Sequence, residues 1–328
     1  MTTMQALAVS RHGGPFQLTE VPRPAPGPRQ VLVRIHASGI NPLDAKIRAG
    51  AAPHARQPLP AVLGLDLAGV VEQVGPGVEV FRRGDEVYGM VGGVGGLQGT
   101  LAQYAAVDAG LLALKPANLS MREAAALPLV AITAWEGLVD RAKVGAGQTV
   151  LVQGGAGGVG HVAVQLAQAF GARVYATGRG PQAPLIRSLG ATPIDLETPV
   201  ETYVAEHAGG RGFDMVYDTV GGVALDASFA AVRRFGHVVS ALGWGTHALA
   251  PLSFKGATYS GVFTLHPLLS GEGRAHHGEI LREVARLVEA SKLAPRLDPR
   301  RFGLADIEAA YDALTDRTAD GKLVVDIL

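Results

Sequence analysis

Three glycines, Gly155, Gly157 and Gly160, stand at G-x-G-x-x-G spacing in the segment VLVQGGAGGVG, where a β-branched run gives way to an apolar run of helical character. At such a joint the first glycine permits a tight turn, the second lets the backbone approach a pyrophosphate, and the third lets helix and strand pack closely. Gly158 and Val159 lie in the same turn, and a helix that starts there directs free amides and the positive end of its dipole at the phosphates. The chemistry implied is the binding of a dinucleotide.

A dinucleotide site usually places an Asp or Glu about 20 residues further on, to accept the adenosine ribose hydroxyls. Here that place reads Gly178-Arg179, and no carboxylate occurs between Asp140 and Asp195. An acid would repel a 2′-phosphate, whereas a glycine leaves room and an arginine donates charge-assisted hydrogen bonds. NADPH is therefore the expected cofactor. One such contact contributes about 1.5 to 3 kcal/mol, or about tenfold to 150-fold in affinity.

These residues need a scaffold that alternates strand and helix, and from about residue 118 the sequence provides one. Ser120 and Glu123 have capping-box spacing ahead of an apolar helical stretch over 124–139. Strand-like VLVQG, RVYATG, TPID, DMVYDTVG and HVVSALG then alternate with helical stretches over 158–170, 184–189, 200–207 and 224–235, which implies a parallel sheet wrapped by helices. The first third reads instead as β, with runs such as QVLVRIHA and LAGVVEQVG set between turn clusters such as PRPAPGPR and GGVGGLQG. Towards the C-terminus come an amphipathic helical pattern, HHGEILREVARLVEASKL, and a strand-like GKLVVDIL expected to rejoin the first β region. The fold class expected is α/β, with a doubly wound Rossmann-type domain over 123–258 inserted into a β-barrel domain made of 1–122 and 259–328.

The bulk composition fits a folded two-domain chain: 328 residues, 48% hydrophobic, with a positive mean hydropathy. Basic and acidic residues balance at 29 each, so nothing marks a nucleic acid or an anionic membrane as a partner. The N-terminal MTTMQALAVSRHGGPFQ lacks a basic segment leading into a long apolar one, and the most apolar window is interrupted by Pro128. The expectation is a cytoplasmic protein acting on a small molecule. Cysteine is absent, which excludes disulfides, thiolate nucleophiles and any zinc site that needs sulfur. His276 and His277 are adjacent but lack a third ligand, and read as a solvated pair; His161 reads as a helix-surface residue. No G-x-S-x-G elbow or paired-carboxylate arrangement supports a hydrolase.

Several segments agree in order with one family: PGPRQVLVRIHASGINPLDAKIRAG, LGLDLAGVVEQVGPGV, FRRGDEVYG, GTLAQYAAV, AAALPLVAITAWEGL, VLVQGGAGGVG, DMVYDTVGG and GKLVVDIL. Over nearly its full length the chain resembles the zinc-independent quinone oxidoreductase and enone reductase branch of the medium-chain dehydrogenase/reductase superfamily. The resemblance implies a GroES-like barrel domain, a nucleotide-binding domain and a substrate cleft where they meet. Zinc-bearing relatives have a Cys in the first conserved loop and His-Glu in the second; those places here read Asn41 and Leu65-Asp66, so no catalytic or structural zinc is expected.

Without a metal to stabilise an alkoxide, an acceptor that is already electrophilic is the better substrate. The site must then place nicotinamide C4 against a quinone or an α,β-unsaturated carbonyl and stabilise the developing anion. The resemblance makes Asn41 and Lys46, in INPLDAKIR, the candidate catalytic residues. Lys46 replaces a frequent Tyr and is expected to hydrogen-bond the substrate oxygen, protonate the product, or hold the nicotinamide ribose. By the same resemblance Thr133, Ser240, Leu242, Phe263 and Lys322 join the cofactor-binding set, and Tyr217, Asp218 and Gly221 lie at the ligand end of the sheet. Leu196 stands where relatives often have a Tyr that helps hold the 2′-phosphate, which leaves more of that grip to Arg179. Two further functions stay open, an NADPH-binding protein of crystallin type and an enoyl-thioester reductase. A homodimer is expected, with 236–244 as the sheet edge through which it pairs.

Overall fold

The computed structural model describes residues 2–328. Two compact units divide the chain. One runs to Leu129 and is completed by Leu265–Ala290 and Pro295–Leu328; the other is Val130–Thr264 with Ser291–Ala294.

The first unit is built on antiparallel β-structure. Strands β1 (Thr3–Val9), β2 (Gln17–Pro22) and β4 (Ala61–Val62) form one sheet in the order β2-β1-β4, with β3 being Gln30–Gly39. A seven-stranded sheet is formed by β3 with β5 (Asp66–Val74), β6 (Glu86–Met90), β7 (Tyr104–Asp108), β8 (Leu112–Leu114) and two late strands described below. Val31, Leu32, Val33 and Ile35 of β3 are buried, and register shifts at Leu32/Val33 and Ile35/Ala37 bend β3 against β5. That bend brings the end of β3, at Gly39, beside Asp66 at the start of β5. Gly39 has no room for a side chain, since a Cβ there would lie 2.1 Å from the Ala125 carbonyl oxygen.

The second unit is a parallel sheet. Its strands are β9 (Thr149–Gln153), β10 (Arg173–Gly178), β11 (Thr192–Asp195), β12 (Phe213–Asp218), β13 (Val232–Ser240) and β14 (Thr258–Gly261), in the order β11-β10-β9-β12-β13-β14. This is the doubly wound order that reverses direction beside β9, the strand that feeds the glycine turn. Val150, Leu151 and Val152 of β9 are all buried, as a strand covered on both faces requires. The late strands β15 (Phe302–Gly303) and β16 (Val324–Asp326) return to the first unit, where Val324–Asp326 pairs antiparallel with Gly39–Ala37 of β3. The terminal GKLVVDIL thus rejoins the N-terminal β region.

Five local expectations are corrected. The stretch 124–139 is not one helix but Met121–Ala125, Pro128–Trp135 and a π-helical turn Glu136–Arg141, because Pro128 lacks the amide that would carry the helix across that point. The helix over 224–235 stops at Ala231, and Val232 opens β13. There Val232 pairs with Phe213 and the Arg233 guanidinium holds the Asp214 carboxylate at 2.6 Å, so tertiary pairing overrides helical spacing. In consequence 236–244 is no sheet edge, because β13 is flanked on both sides and β14 forms the edge. His277 is buried rather than solvated, on the stripe it shares with Leu281, Val284 and Val288 in the helix Arg274–Glu289, while His276 meets Glu279 at 3.2 Å. His161 is buried as well, its Nδ1 3.0 Å from the Gly157 carbonyl oxygen.

Candidate active site

The glycine turn links β9 to the helix Gly158–Ala169. Gly154 carries the positive φ of 76° that makes the turn, a role the motif spacing alone assigned to Gly155. Gly155 instead lies against β10, where a Cβ would stand 2.4 Å from the Ala176 Cβ, and Gly160 lies against the turn, where a Cβ would stand 2.0 Å from the Gly154 carbonyl oxygen. Gly157 differs from both. It is the N-cap of the helix, has no side chain to cap the amides that follow, and is exposed together with Gly158. Uncapped amides at a helix start with no Cβ in front of them fit a pyrophosphate, with Val159 half-buried beside them.

Two polar side chains fix this turn and were not visible in the motif. The Thr177 hydroxyl accepts from the Gly154 N–H at 3.0 Å and donates to Gln153 Oε1 at 2.8 Å. Both are buried, so the pair locks β9 to β10 below the phosphate position. The signal available in the sequence was a threonine one residue before the strand's terminal glycine.

At the end of β10, Gly178 points inward. A Cβ there would meet Ile186 Cδ1 at 2.6 Å, so the packing of the helix Ala183–Ser188 needs its small size. Arg179 is exposed, its N–H donates to Gln182 Oε1 at 2.9 Å, and among the described residues its guanidinium makes no ion pair. Leu196 is also exposed, and its N–H donates to the Gly178 carbonyl at 3.0 Å.

Further along the same sheet edge, the Asp218 carboxylate at the end of β12 accepts from the N–H groups of Val220 and Gly221, at 3.0 and 2.9 Å. It also accepts from the Ser240 hydroxyl at 2.6 Å, which in turn accepts from the Leu242 N–H at 3.0 Å. Ser240 is thereby committed to shaping the β12 and β13 ends, and Leu242 follows it half-buried. Thr133, in the helix Pro128–Trp135, offers its carbonyl to the Tyr217 hydroxyl at 2.6 Å. Burial holds that phenol well above its ordinary pKa, so Tyr217 is a fixed donor. Phe263 meets Trp244 edge to face, with centroids 6.3 Å apart.

In the first unit, Asn41 caps the helix Pro42–Ala49 and is fully buried. Its N–H donates to the Asp44 carboxylate at 2.8 Å, its side-chain amide donates to Asp66 Oδ2 at 2.9 Å, and its amide oxygen accepts from the Lys322 ammonium. Lys322 also donates to the Ile40 carbonyl at 2.9 Å, and Asp66 Oδ1 accepts from the Leu129 N–H at 3.0 Å. Asn41 thus stands between the Lys322 ammonium and two buried carboxyls, which feel that charge through space without an ion pair. Burial pushes Asp44 up to about 8 and Asp66 up to about 7, while it lowers Lys322. Lys46, by contrast, is exposed on the same helix and makes no ion pair among the described residues. The structure therefore brings Asn41 and Lys322 together, adds Asp44 and Asp66 to them, and sets Lys46 apart. Among the described residues no group of three or more His, Asp or Glu comes together as a metal site.

A doubly wound sheet carrying an uncapped glycine turn, joined to a unit of curved antiparallel sheets, defines the class of two-unit nucleotide-dependent oxidoreductases. Residues 27–117 match the alcohol dehydrogenase GroES-like domain and residues 189–325 the zinc-binding dehydrogenase family. The chain is 38% identical over 303 residues to a 2-methylene-furan-3-one reductase of Solanum lycopersicum, covering 90% of this chain and 71% of the relative. It is 37% identical over 303 residues to an NADPH-dependent alkenal/one oxidoreductase of Arabidopsis thaliana, covering 90% of this chain and 72% of that one. A crystal structure of an alcohol dehydrogenase superfamily protein from Novosphingobium aromaticivorans matches with a TM-score of 0.98 and 65% identity, over 99% of this chain and all of that one. The protein belongs to the medium-chain dehydrogenase/reductase superfamily, in its quinone oxidoreductase and enone reductase branch.

Proposed function

We propose that the protein is an NADPH-dependent reductase of conjugated carbonyl compounds, enones or quinones, working without a metal. The observation that carries this reading is the uncapped, Cβ-free helix start at Gly157 and Gly158, with the unpaired Arg179 guanidinium on the neighbouring strand end. NADPH, when bound, supplies a hydride. For an enone the hydride adds to the β-carbon, the π electrons move onto the carbonyl oxygen, and a proton completes the α-carbon.

The chain's own residues have separable parts in this. The amides of Gly158, Val159 and Gly160 hold the pyrophosphate, and Arg179 holds the 2′-phosphate. Thr133, Ser240, Leu242 and Phe263 shape the nicotinamide end. Asn41 is buried among Asp44, Asp66 and Lys322, which makes it and Lys322 positioning residues for the first loop, while exposed Lys46 remains free to reach an acceptor oxygen or a ribose. The absence of cysteine from the whole chain supports a metal-free reaction.

A deuterium label tests the chemistry. With NADPH deuterated at C4 and a simple enone, the label is expected at the β-carbon of a saturated ketone, read by NMR. Deuterium on the carbinol carbon of an allylic alcohol would show carbonyl reduction and overturn the reading.

The protein is further proposed to be a homodimer paired through β14, one of the two edge strands of the parallel sheet and the one that follows β13. Phe254, in the helix just before β14, is 86% exposed, and Phe235, at the base of β13, is 80% exposed. Large apolar groups beside an open strand edge favour pairing with a second copy.

A further inference from the structure

The carboxylate missing from the second strand in the sequence is supplied in space by the third. Strands β10 and β11 are parallel neighbours with Gly178 in register with Asp195, and the Leu196 N–H ties the two strand ends together through the Gly178 carbonyl at 3.0 Å. A Cβ built on Gly180 would lie 3.5 Å from Asp195 Oδ2, so this oxygen lies against the turn that carries Arg179. The other oxygen, Oδ1, is occupied by the Glu197 N–H at 2.9 Å. Asp195 and Arg179 are both exposed, yet no ion pair joins them among the described residues. A cation and an anion thus stand at adjacent strand ends, each with an open valence.

We propose that Asp195 is a second cofactor-discriminating residue that opposes Arg179. This rests on the reading of the glycine turn as an NADPH site. A ribose at this edge has two alternatives. With a 2′-phosphate it gains the Arg179 guanidinium but brings its charge towards the Asp195 carboxylate; with a free 2′-hydroxyl it donates to Asp195 Oδ2 and leaves Arg179 in water. The two residues pull the preference in opposite directions, so the margin of NADPH over NADH is narrower than Arg179 alone would set. The separation of 178–180 from 195 along the chain hides the acid from any count of residues after the glycine turn.

The test is calorimetric titration of NADPH and NADH, without an acceptor, into the wild type, Asp195→Asn, Asp195→Ser and Arg179→Ala. Both position-195 variants keep a side-chain acceptor for the Glu197 N–H, and the exposed site tolerates either. Removing one exposed charge near a phosphate is expected to tighten NADPH by about threefold to tenfold and to weaken NADH by about twofold or more. The NADPH gain should shrink in high salt, and Arg179→Ala should move the ratio the other way. If both position-195 variants bind both dinucleotides within twofold of the wild type, Asp195 lies outside the ribose site and the proposal is wrong. If the wild type binds neither dinucleotide, the cofactor reading beneath it fails instead, a distinct outcome.

Discussion

Asp44, Asn41, Asp66 and Lys322 form a polar core whose cost and benefit can be measured separately. Asp44 keeps its proton to about 8 in the folded chain, against 3.8 for an ordinary aspartate. Between those values the folded chain holds a proton that the unfolded chain has lost, so this group makes stability fall as pH rises from about 4 to 8. Asp44→Asn removes that titration while keeping an acceptor for the Asn41 N–H. Its stability relative to wild type should therefore climb across that window, by on the order of 5 kcal/mol at most, read as a melting-temperature difference that grows with pH; a difference that stays flat with pH would refute the assignment. Lys322→Met should cost about 1 to 3 kcal/mol because it leaves the buried Ile40 carbonyl and Asn41 amide oxygen without their donor, as denaturant unfolding would show. For the cofactor, Arg179→Ala should lower NADPH affinity relative to NADH by about tenfold or more. A ratio unchanged within twofold would leave Arg179 a surface residue only.

At the scale of elements, the two exposed and buried glycines of the turn make different predictions. Gly160→Ala puts a methyl 2.0 Å from the Gly154 carbonyl oxygen, whereas Gly157→Ala meets only that same oxygen at 3.2 Å. The first should destabilise the fold by about 1 to 3 kcal/mol or more. The second should leave the melting temperature within a few degrees and instead weaken dinucleotide binding, since its methyl faces the pyrophosphate position. Equal losses of stability in both would mean that Gly157 is a packing glycine too. Strand and helix alternation made this element legible, because each βα unit has its own periodicity and the glycine spacing marks the joint. What stayed hidden were contacts that cross between strands: the Thr177–Gln153 latch, the inward packing of Gly178 on Ile186, and Asp195 beside Gly180. The overrun of the expected helix beyond Ala231 has the same origin, since the pairing of Val232 with Phe213 and of Arg233 with Asp214 lies outside any local window. Burial of His161 and His277 was missed for a simpler reason, that a histidine on a helix follows its stripe and not its polarity.

At the scale of the whole molecule, the return of β16 to β3 explains why both chain ends contribute to one unit while the nucleotide-binding unit lies between them. That arrangement was legible because the terminal strand is β-branched and apolar in a region otherwise rich in turns. The sheet edge was not, because strand order depends on pairing, and it moved from 236–244 to Thr258–Gly261. If the dimer forms there, light scattering should give about twice the 33.9 kDa chain mass, and Phe254→Lys should shift the protein towards the monomer with its melting temperature little changed. A wild type that scatters as a monomer at working concentration would remove the dimer. The central claim is metal-free reduction of conjugated acceptors, and its most direct measurement is the initial rate of NADPH oxidation, with chelator present, against an enone, a quinone and their saturated counterparts. Turnover should be confined to the conjugated compounds and unaffected by the chelator. Comparable rates on a saturated aldehyde, or loss of activity on chelation, would contradict it.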